Sequence, residues 1–192
     1  MFLGLDLGTS AVKALLVDSD GQAIASHAAP LSVSRPHQGW SEQDAESWWQ
    51  AADLAVRQIK QAHPRELAAV AAIGLSGQMH GLTALDSAVQ PLRPAILWND
   101  TRAAPQAARL DASHSEFRAI SGNAVMPGFT APKAVWMAEN EADLLAATSM
   151  ILLPKDYLRL RLTGEAVSEM SDAAGTLWLD VAARDWSDTL LG

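Results

Sequence analysis

An α/β fold, a mixed sheet flanked by helices, is predicted by three features in the order in which they occur along the chain. Two apolar runs, Phe2 to Leu7 and Val12 to Val17, flank a short Gly turn and read as paired strands. A stretch with Trp48, Ala52, Ala55 and Ile59 at helical spacing follows a third strand. The apolar run Leu67 to Leu75 then ends in Ser76-Gly77, the pattern of a buried strand returning parallel to the first.

Each element has a local reason. Ala23 to Ala28 completes an antiparallel trio, joined to the second strand by Asp18-Ser19-Asp20-Gly21, a hairpin signal of the Asp-Gly type. After the polar loop Ser32 to Gly39, Ser41-Glu42-Gln43-Asp44 reads as a capping box that opens the helix. The returning strand is followed by a short strand at Leu82 to Leu85, a turn at Asp86-Ser87 and another strand at Ala95 to Trp98. Beyond Thr101 the pattern is helical, over Arg102 to Leu110, Ser115 to Ile120, Pro132 to Asn140 and Glu141 to Thr148. A strand at Met150 to Leu153 and a helix at Lys155 to Leu162, stopped by Thr163-Gly164, complete the series. Three antiparallel strands, a helix and a further strand is the ribonuclease-H-like order. It places a sheet core mainly in residues 1–100 and a helical and loop elaboration in 101–192.

Composition narrows the function classes. The chain has 192 residues, 49% of them hydrophobic and 19% charged, enough for a sizeable core. Lys plus Arg number 14 against 22 for Asp plus Glu, so the formal net charge is −8 and no basic run occurs. That balance argues against nucleic acid and anionic membranes as partners. The absence of Cys excludes disulfides, thiol catalysis and thiolate-bound metal. Met1-Phe2-Leu3-Gly4-Leu5-Asp6 lacks the basic start of a signal peptide, and no apolar run nears the roughly 18 residues of a membrane span. A soluble cytoplasmic protein is the expectation.

Candidate chemistry begins at Asp6-Leu7-Gly8-Thr9-Ser10. An acid at a strand end, then a Gly turn with two hydroxyls, suits a nucleotide phosphate and its Mg²⁺. Gly8 can take positive φ, Thr9 and Ser10 add donors, and Asp6 would meet the ion through water. The turn runs into a strand rather than a helix, so it is no Walker loop. The same residues also suit a plain Gly hairpin with a capping Asp.

Four further clusters fall at strand ends, where α/β sheets hold ligands. In Ser76-Gly77-Gln78-Met79-His80-Gly81, Gln78 and His80 offer hydrogen bonds to a polyol and Met79 an adaptable apolar wall. In Trp98-Asn99-Asp100-Thr101-Arg102, Trp98 can stack on a sugar, Asn99 and Asp100 can bond hydroxyls, and Arg102 can pin Asp100, or Asn99 or Asp100 caps the next helix. The loop Gly122 to Lys133 could line a pocket, or Thr130 there only caps a helix. In the polar loop Ser168 to Thr176, Asp172 stands out, with an Asx-turn as its other reading.

The segments Gly4 to Ser10, Gly77 to Gly81, Leu97 to Asp100, Pro127 to Lys133, Leu153 to Tyr157 and Ser171 to Thr176, in that order, resemble the FGGY family of carbohydrate kinases, and within it the bacterial D-xylulose kinases. The resemblance implies the first of two actin-like, ribonuclease-H-like domains that hold ATP, Mg²⁺ and sugar between them. It implies that the hairpin, with Gly8, Thr9, Ser10 and Lys13, faces the ATP phosphates, with Asp6 near the metal and important for activity. It implies that Met79 and His80 bind the ketopentose, with Gln78, Trp98 and Asn99 as further sugar-pocket residues. The Met-His pair favours xylulose over glycerol, whose kinases carry Arg-Glu there; ribulose is a further alternative. The reaction implied is transfer of the γ-phosphoryl of ATP to D-xylulose, giving the 5-phosphate. The family's general base lies in a Gly-Asp-Asn or Gly-Asp-Gln motif of the second, ATP-binding domain, and neither occurs in residues 1–192. This implies a lobe that is inactive alone, or else a non-catalytic sugar-binding or interaction module on the same fold, whose exposed cleft wall leaves room for a homodimer.

Overall fold

Side-chain alternation along the first strands sets the layout. In the computed structural model, which describes residues 1–192, β1 (Phe2–Leu7) and β2 (Ala11–Val17) pair antiparallel with Leu7 opposite Val12 and Asp6 opposite Lys13. With a period of two, Leu3, Leu5, Leu7, Val12, Ala14 and Leu16 share one buried face, and Gly4, Asp6, Lys13 and Leu15 share the other. β3 (Ala23–Pro30) joins β2 antiparallel, through a turn in which Asp18 Oδ1 accepts from the backbone of Asp20 and Gln22, at 2.9 and 2.8 Å. β4 (Glu42–Gln43), α1 (Ala45–Ala62) and α2 (Pro64–Ala68) lead to β5 (Ala72–Gly77), parallel to β1. The sheet order β3-β2-β1-β5 is the mixed, ribonuclease-H-like arrangement the sequence predicts.

The core lies between this sheet and α1, which buries Trp48, Ala51, Ala52, Ala55 and Ile59. Three alanines in that stripe let the helix axis approach the sheet closely, leaving Trp48 and Ile59 to fill the space at its ends. Each large apolar side chain buried this way contributes about 1.5–3 kcal/mol.

The second half follows as β6 (Thr83–Leu85), β7 (Ala95–Ile96), α3 (Ala104–Ser113), a π-helical turn at Phe117–Ser121, α4 (Thr130–Asn140), α5 (Ala142–Ala147), β8 (Met150–Leu152) and α6 (Pro154–Thr163). α7 (Met170–Ala173), a 3₁₀ turn at Ala174–Thr176, β9 (Leu179–Asp180), β10 (Asp185–Trp186) and α8 (Asp188–Leu191) end the chain. The halves interlock: β8 pairs with β6, and α6 packs on α1 and β5. Tyr157 of α6 meets Trp48 edge-on at 6.1 Å. No helix is long and apolar enough to cross a membrane.

Five local expectations are corrected. Ser41 to Asp44 is no capping box: Asp44 alone is the N-cap, accepting from Glu46 N at 3.0 Å, because Glu42 and Gln43 are drawn into pairing with Ile96 and Ala95. Leu67 to Leu75 is not one buried strand: Pro64 starts a helical turn reaching Ala68, and β5 begins at Ala72 as a largely exposed edge strand. Gly8 does not adopt positive φ; its turn closes by Gly8 N donating to Ala11 O at 3.0 Å, and a Cβ would lie 3.1 Å from that oxygen. Thr130 does not cap α4 but lies inside it, its hydroxyl donating to His80 O at 3.2 Å. The expected polar loop Ser168 to Thr176 coils into α7 and the 3₁₀ turn, capped by Glu169.

Candidate functional site

The outer face of the sheet carries the first group of candidate residues. Asp6 on β1 faces Lys13 across one strand pair and Ser76 across the other, and Ser76 Oγ donates to Asp6 Oδ1 at 2.8 Å. These three line an open groove of about 460 Å³ with Gly4, Leu15 and Gly74. Asp6 is exposed and keeps its second carboxylate oxygen free of protein donors. At the tip of the β1–β2 turn, the backbone N–H groups of Thr9 and Ser10 donate to no protein acceptor, and the Ser10 side chain is exposed. Two adjacent N–H groups without partners and one exposed hydroxyl are what an oxyanion can bind.

Thr9 belongs to the turn and also to the loop after β5. Its hydroxyl donates to Gln78 Oε1 at 3.2 Å and accepts from Trp98 Nε1 at 3.0 Å. Its carbonyl accepts from Gln43 Nε2 at 2.7 Å. Gln43 Oε1 in turn accepts from Gln78 Nε2 at 2.9 Å and from the Trp48 indole at 3.0 Å, so β4 and α1 anchor the same chain. Gln43 and Gln78 are both buried. Both polar atoms of the Gln78 amide are thus bonded within the protein, and this side chain places Thr9 rather than opening outward. Gln43 escaped the sequence reading because nothing in Glu42-Gln43 marks it as a hub. Its partners lie 34 or more positions away, apart from nearby Trp48 and Ser32.

Met79 and Trp98 are 45% and 43% exposed, and Asn99 is exposed beside Trp98. His80 sits at φ +62°, in the left-handed region that a β-carbon disfavours. Its Nδ1 lies 3.1 Å from Gly175 O, and its ring meets Phe129 edge-on at 4.5 Å. Burial lowers the His80 pKa; the Gly175 carbonyl opposes this and the Lys133 charge adds to it. The imidazole is therefore biased toward its neutral form, able to donate from one nitrogen and accept at the other. Gly128 packs against the strand-end loop so closely that a Cβ would lie 2.6 Å from Trp98 O.

Behind Trp98 and Asn99, Asp100 is 1% exposed, and Arg102 holds it as the sequence suggests, with Nε to Oδ1 at 2.9 Å and an Nη to Oδ2 at 2.7 Å. Asp100 also accepts from Ser41 N at 2.6 Å, and Arg102 pairs with Glu42 at 2.8 Å and stacks 3.6 Å from the Trp40 centroid. Asp100 is thereby committed to structure and does not cap α3, whose first residue is Ala104. Near Gly77, Lys155 pairs with buried Asp156 and lies 3.3 Å from Asp172 Oδ2. Burial raises the Asp172 pKa against the pull of Lys155. For Lys155 itself burial acts downward, and Asp156 with Asp172 outweighs it, so its pKa is raised. Asp172 is thus an ion-pair member rather than the centre of an Asx-turn.

The fold therefore brings the Gly8–Ser10 turn, the Gln78–Gly81 loop, Trp98 and the Gly128–Phe129 loop together, with Gly175 against His80. Asp6 and Lys13 stand one strand-end away, on the outer face. No group of three or more His, Asp or Glu side chains gathers to cage a metal ion.

Residues 1–192 match the FGGY family of carbohydrate kinases, N-terminal domain. The chain is 56% identical over 191 residues to a protein named xylulose kinase from Klebsiella pneumoniae and 53% identical to one of the same name from Escherichia coli, covering all of this chain in each case. It superposes with a TM-score of 0.97 on the crystal structure of "a xyloylose kinase" from Brucella ovis, at 59% identity over 98% of this chain and 40% of that one. The chain spans 39% of the length of the two curated relatives. A match along its whole length, carried on the α/β architecture of these kinases, establishes that the chain belongs to the FGGY family of carbohydrate kinases and is its N-terminal domain.

Proposed function

We propose that this chain is the sugar-recognising lobe of an ATP-dependent kinase that transfers the γ-phosphoryl group to the terminal hydroxyl of D-xylulose. The observation that carries the reading is the hydrogen-bonded chain from Trp98 through Thr9 to Gln78, which couples the turn with free N–H groups to the loop bearing Met79 and His80. The names of the similar proteins supply the sugar.

In this reading Met79 and His80 contact the ketose, Trp98 stacks on its C–H face, Asn99 bonds a hydroxyl, and Gln78 holds Thr9 in place. Gly8, Thr9, Ser10 and Lys13 face the ATP phosphates. Asp6, a lone exposed carboxylate beside a cationic Lys13, suits Mg²⁺ that arrives on nucleotide phosphates and keeps its waters; it does not suit a protein-caged metal. When bound, Mg²⁺ supplies charge neutralisation at the transferring phosphoryl group, and the residues of this chain supply position. The carboxylate that takes the hydroxyl proton lies in the second domain of the family, so residues 1–192 alone bind sugar without turning it over.

Isothermal titration of the chain with D-xylulose, D-ribulose and glycerol, beside a coupled assay with Mg-ATP, tests this. D-Xylulose is expected to bind most tightly, with no turnover. Equal or tighter binding of glycerol contradicts the substrate, and turnover within the ~1–100 s⁻¹ of ordinary kinases contradicts the division of labour between lobes.

A further inference from the structure

One backbone carbonyl next to the candidate sugar-binding residues receives two donors from a helix fifty positions further along the chain. His80 O accepts from Thr130 Oγ1 at 3.2 Å and from Lys133 Nζ at 2.9 Å, and Lys133 Nζ also donates to Gly128 O. Lys133 is 0% exposed, and no carboxylate lies within ion-pairing distance of it. The charged groups facing it, Asp100 and Arg102, have opposite signs and are paired with each other. A fully buried ammonium without a counterion costs several kcal/mol, and a Met of similar length would fill the same space without that cost. Burial brings the Lys133 pKa down to about 7, with Asp100 opposing and Arg102 adding. Near neutral pH its amine form, with two N–H groups for two carbonyls, is therefore well populated.

What such a residue achieves is visible in the groups it joins. His80 holds a left-handed conformation that persists only where its surroundings enforce it, at a cost of about 1–3 kcal/mol. Gly128 abuts Trp98 O, and Phe129 next to it packs edge-on against the His80 ring. We propose that Lys133 is a positioning residue for sugar recognition: by bonding His80 O and Gly128 O together it fixes the His80 ring against Gly175 O and Phe129 and sets the spacing between the Met79–His80 loop and Trp98. The sugar-recognition half of this inference rests on the function proposed above; the positional half stands on the contacts alone.

The test compares the 192-residue chain with Lys133→Met by nuclear Overhauser contacts and by D-xylulose titration. The His80–Phe129 ring contact is expected to vanish in Lys133→Met while the Trp48–Tyr157 contact of the core persists, and the dissociation constant for D-xylulose is expected to rise about tenfold, the value of one buried hydrogen bond. A folded Lys133→Met that keeps the His80–Phe129 contact overturns the proposal. Loss of the contact with an unchanged dissociation constant overturns its link to recognition. If Lys133→Met does not fold, Thr130→Val removes the other donor to the same carbonyl: a weakened ring contact supports the clamp, and an unchanged one overturns it. Should the unmodified chain bind no D-xylulose, the functional reading falls, and the ring contact still decides what Lys133 does.

Discussion

Gly175 has no side chain for a steric reason, not a conformational one. A Cβ at that position would overlap the imidazole of His80, whose Nδ1 lies against the Gly175 carbonyl. Gly175→Ala must therefore push His80 out of its place, or shift the 3₁₀ turn that carries Gly175. The expected result is a dissociation constant for D-xylulose at least tenfold weaker, with a stability loss of about 1–3 kcal/mol by urea unfolding, the usual range for overpacking. Unchanged affinity would mean that the His80 ring is not part of the sugar surface. At this scale the sequence marked Met79, His80 and Trp98 as candidates, because such residues between glycines or at a strand end are conspicuous. It concealed Gln43 and the role of Gln78, whose significance lies in partners remote along the chain. Lys133 did leave a trace, as the one charge in the mostly apolar stretch Phe129 to Ala138.

Elements were legible where they are specified locally. β1, β2 and β3 follow from apolar runs joined by two short turns, and α1 from its apolar stripe, so the antiparallel part of the sheet could be read from residues close in sequence, whereas β5 joins β1 from about seventy positions away. The capping box failed because Glu42 and Gln43 answer to β7, about fifty residues away, and the limits of β5 failed because Pro64 rather than hydrophobicity decides where α2 begins. α4 shows a further element-scale effect, a pH dependence of its docking. The Lys133 pKa is about 7 folded, against about 10.4 in an unfolded chain. Between those values the unfolded state binds a proton that the native state does not, so stability rises with pH by up to about 1.4 kcal/mol per unit. Below pH 7 both states are protonated and the slope vanishes. Urea unfolding from pH 6 to 10 should show the wild type gaining stability relative to Lys133→Met across that window. A difference independent of pH would mean that Lys133 keeps an ordinary pKa.

At the scale of the whole molecule, the inner face of the sheet is closed by α1 and the outer face is open. Asp6, Lys13 and Ser76 lie open on that face, and the loops at the strand ends carry Thr9, Met79, His80 and Trp98. A net charge of −8 does not oppose the proposed nucleotide binding, because the groups which that proposal assigns to phosphate are backbone N–H donors and one Lys rather than a basic patch. Within a chain that spans 39% of its curated relatives, the central claim is that this lobe by itself holds a surface selective for a ketopentose. Saturation-transfer difference NMR measures that most directly, since it detects weak binding to one wall of a cleft. Transfer to D-xylulose from the wild-type chain, lost in His80→Ala and absent for glycerol, is the predicted result. Transfer that is missing for D-xylulose, or that survives His80→Ala unchanged, would contradict it.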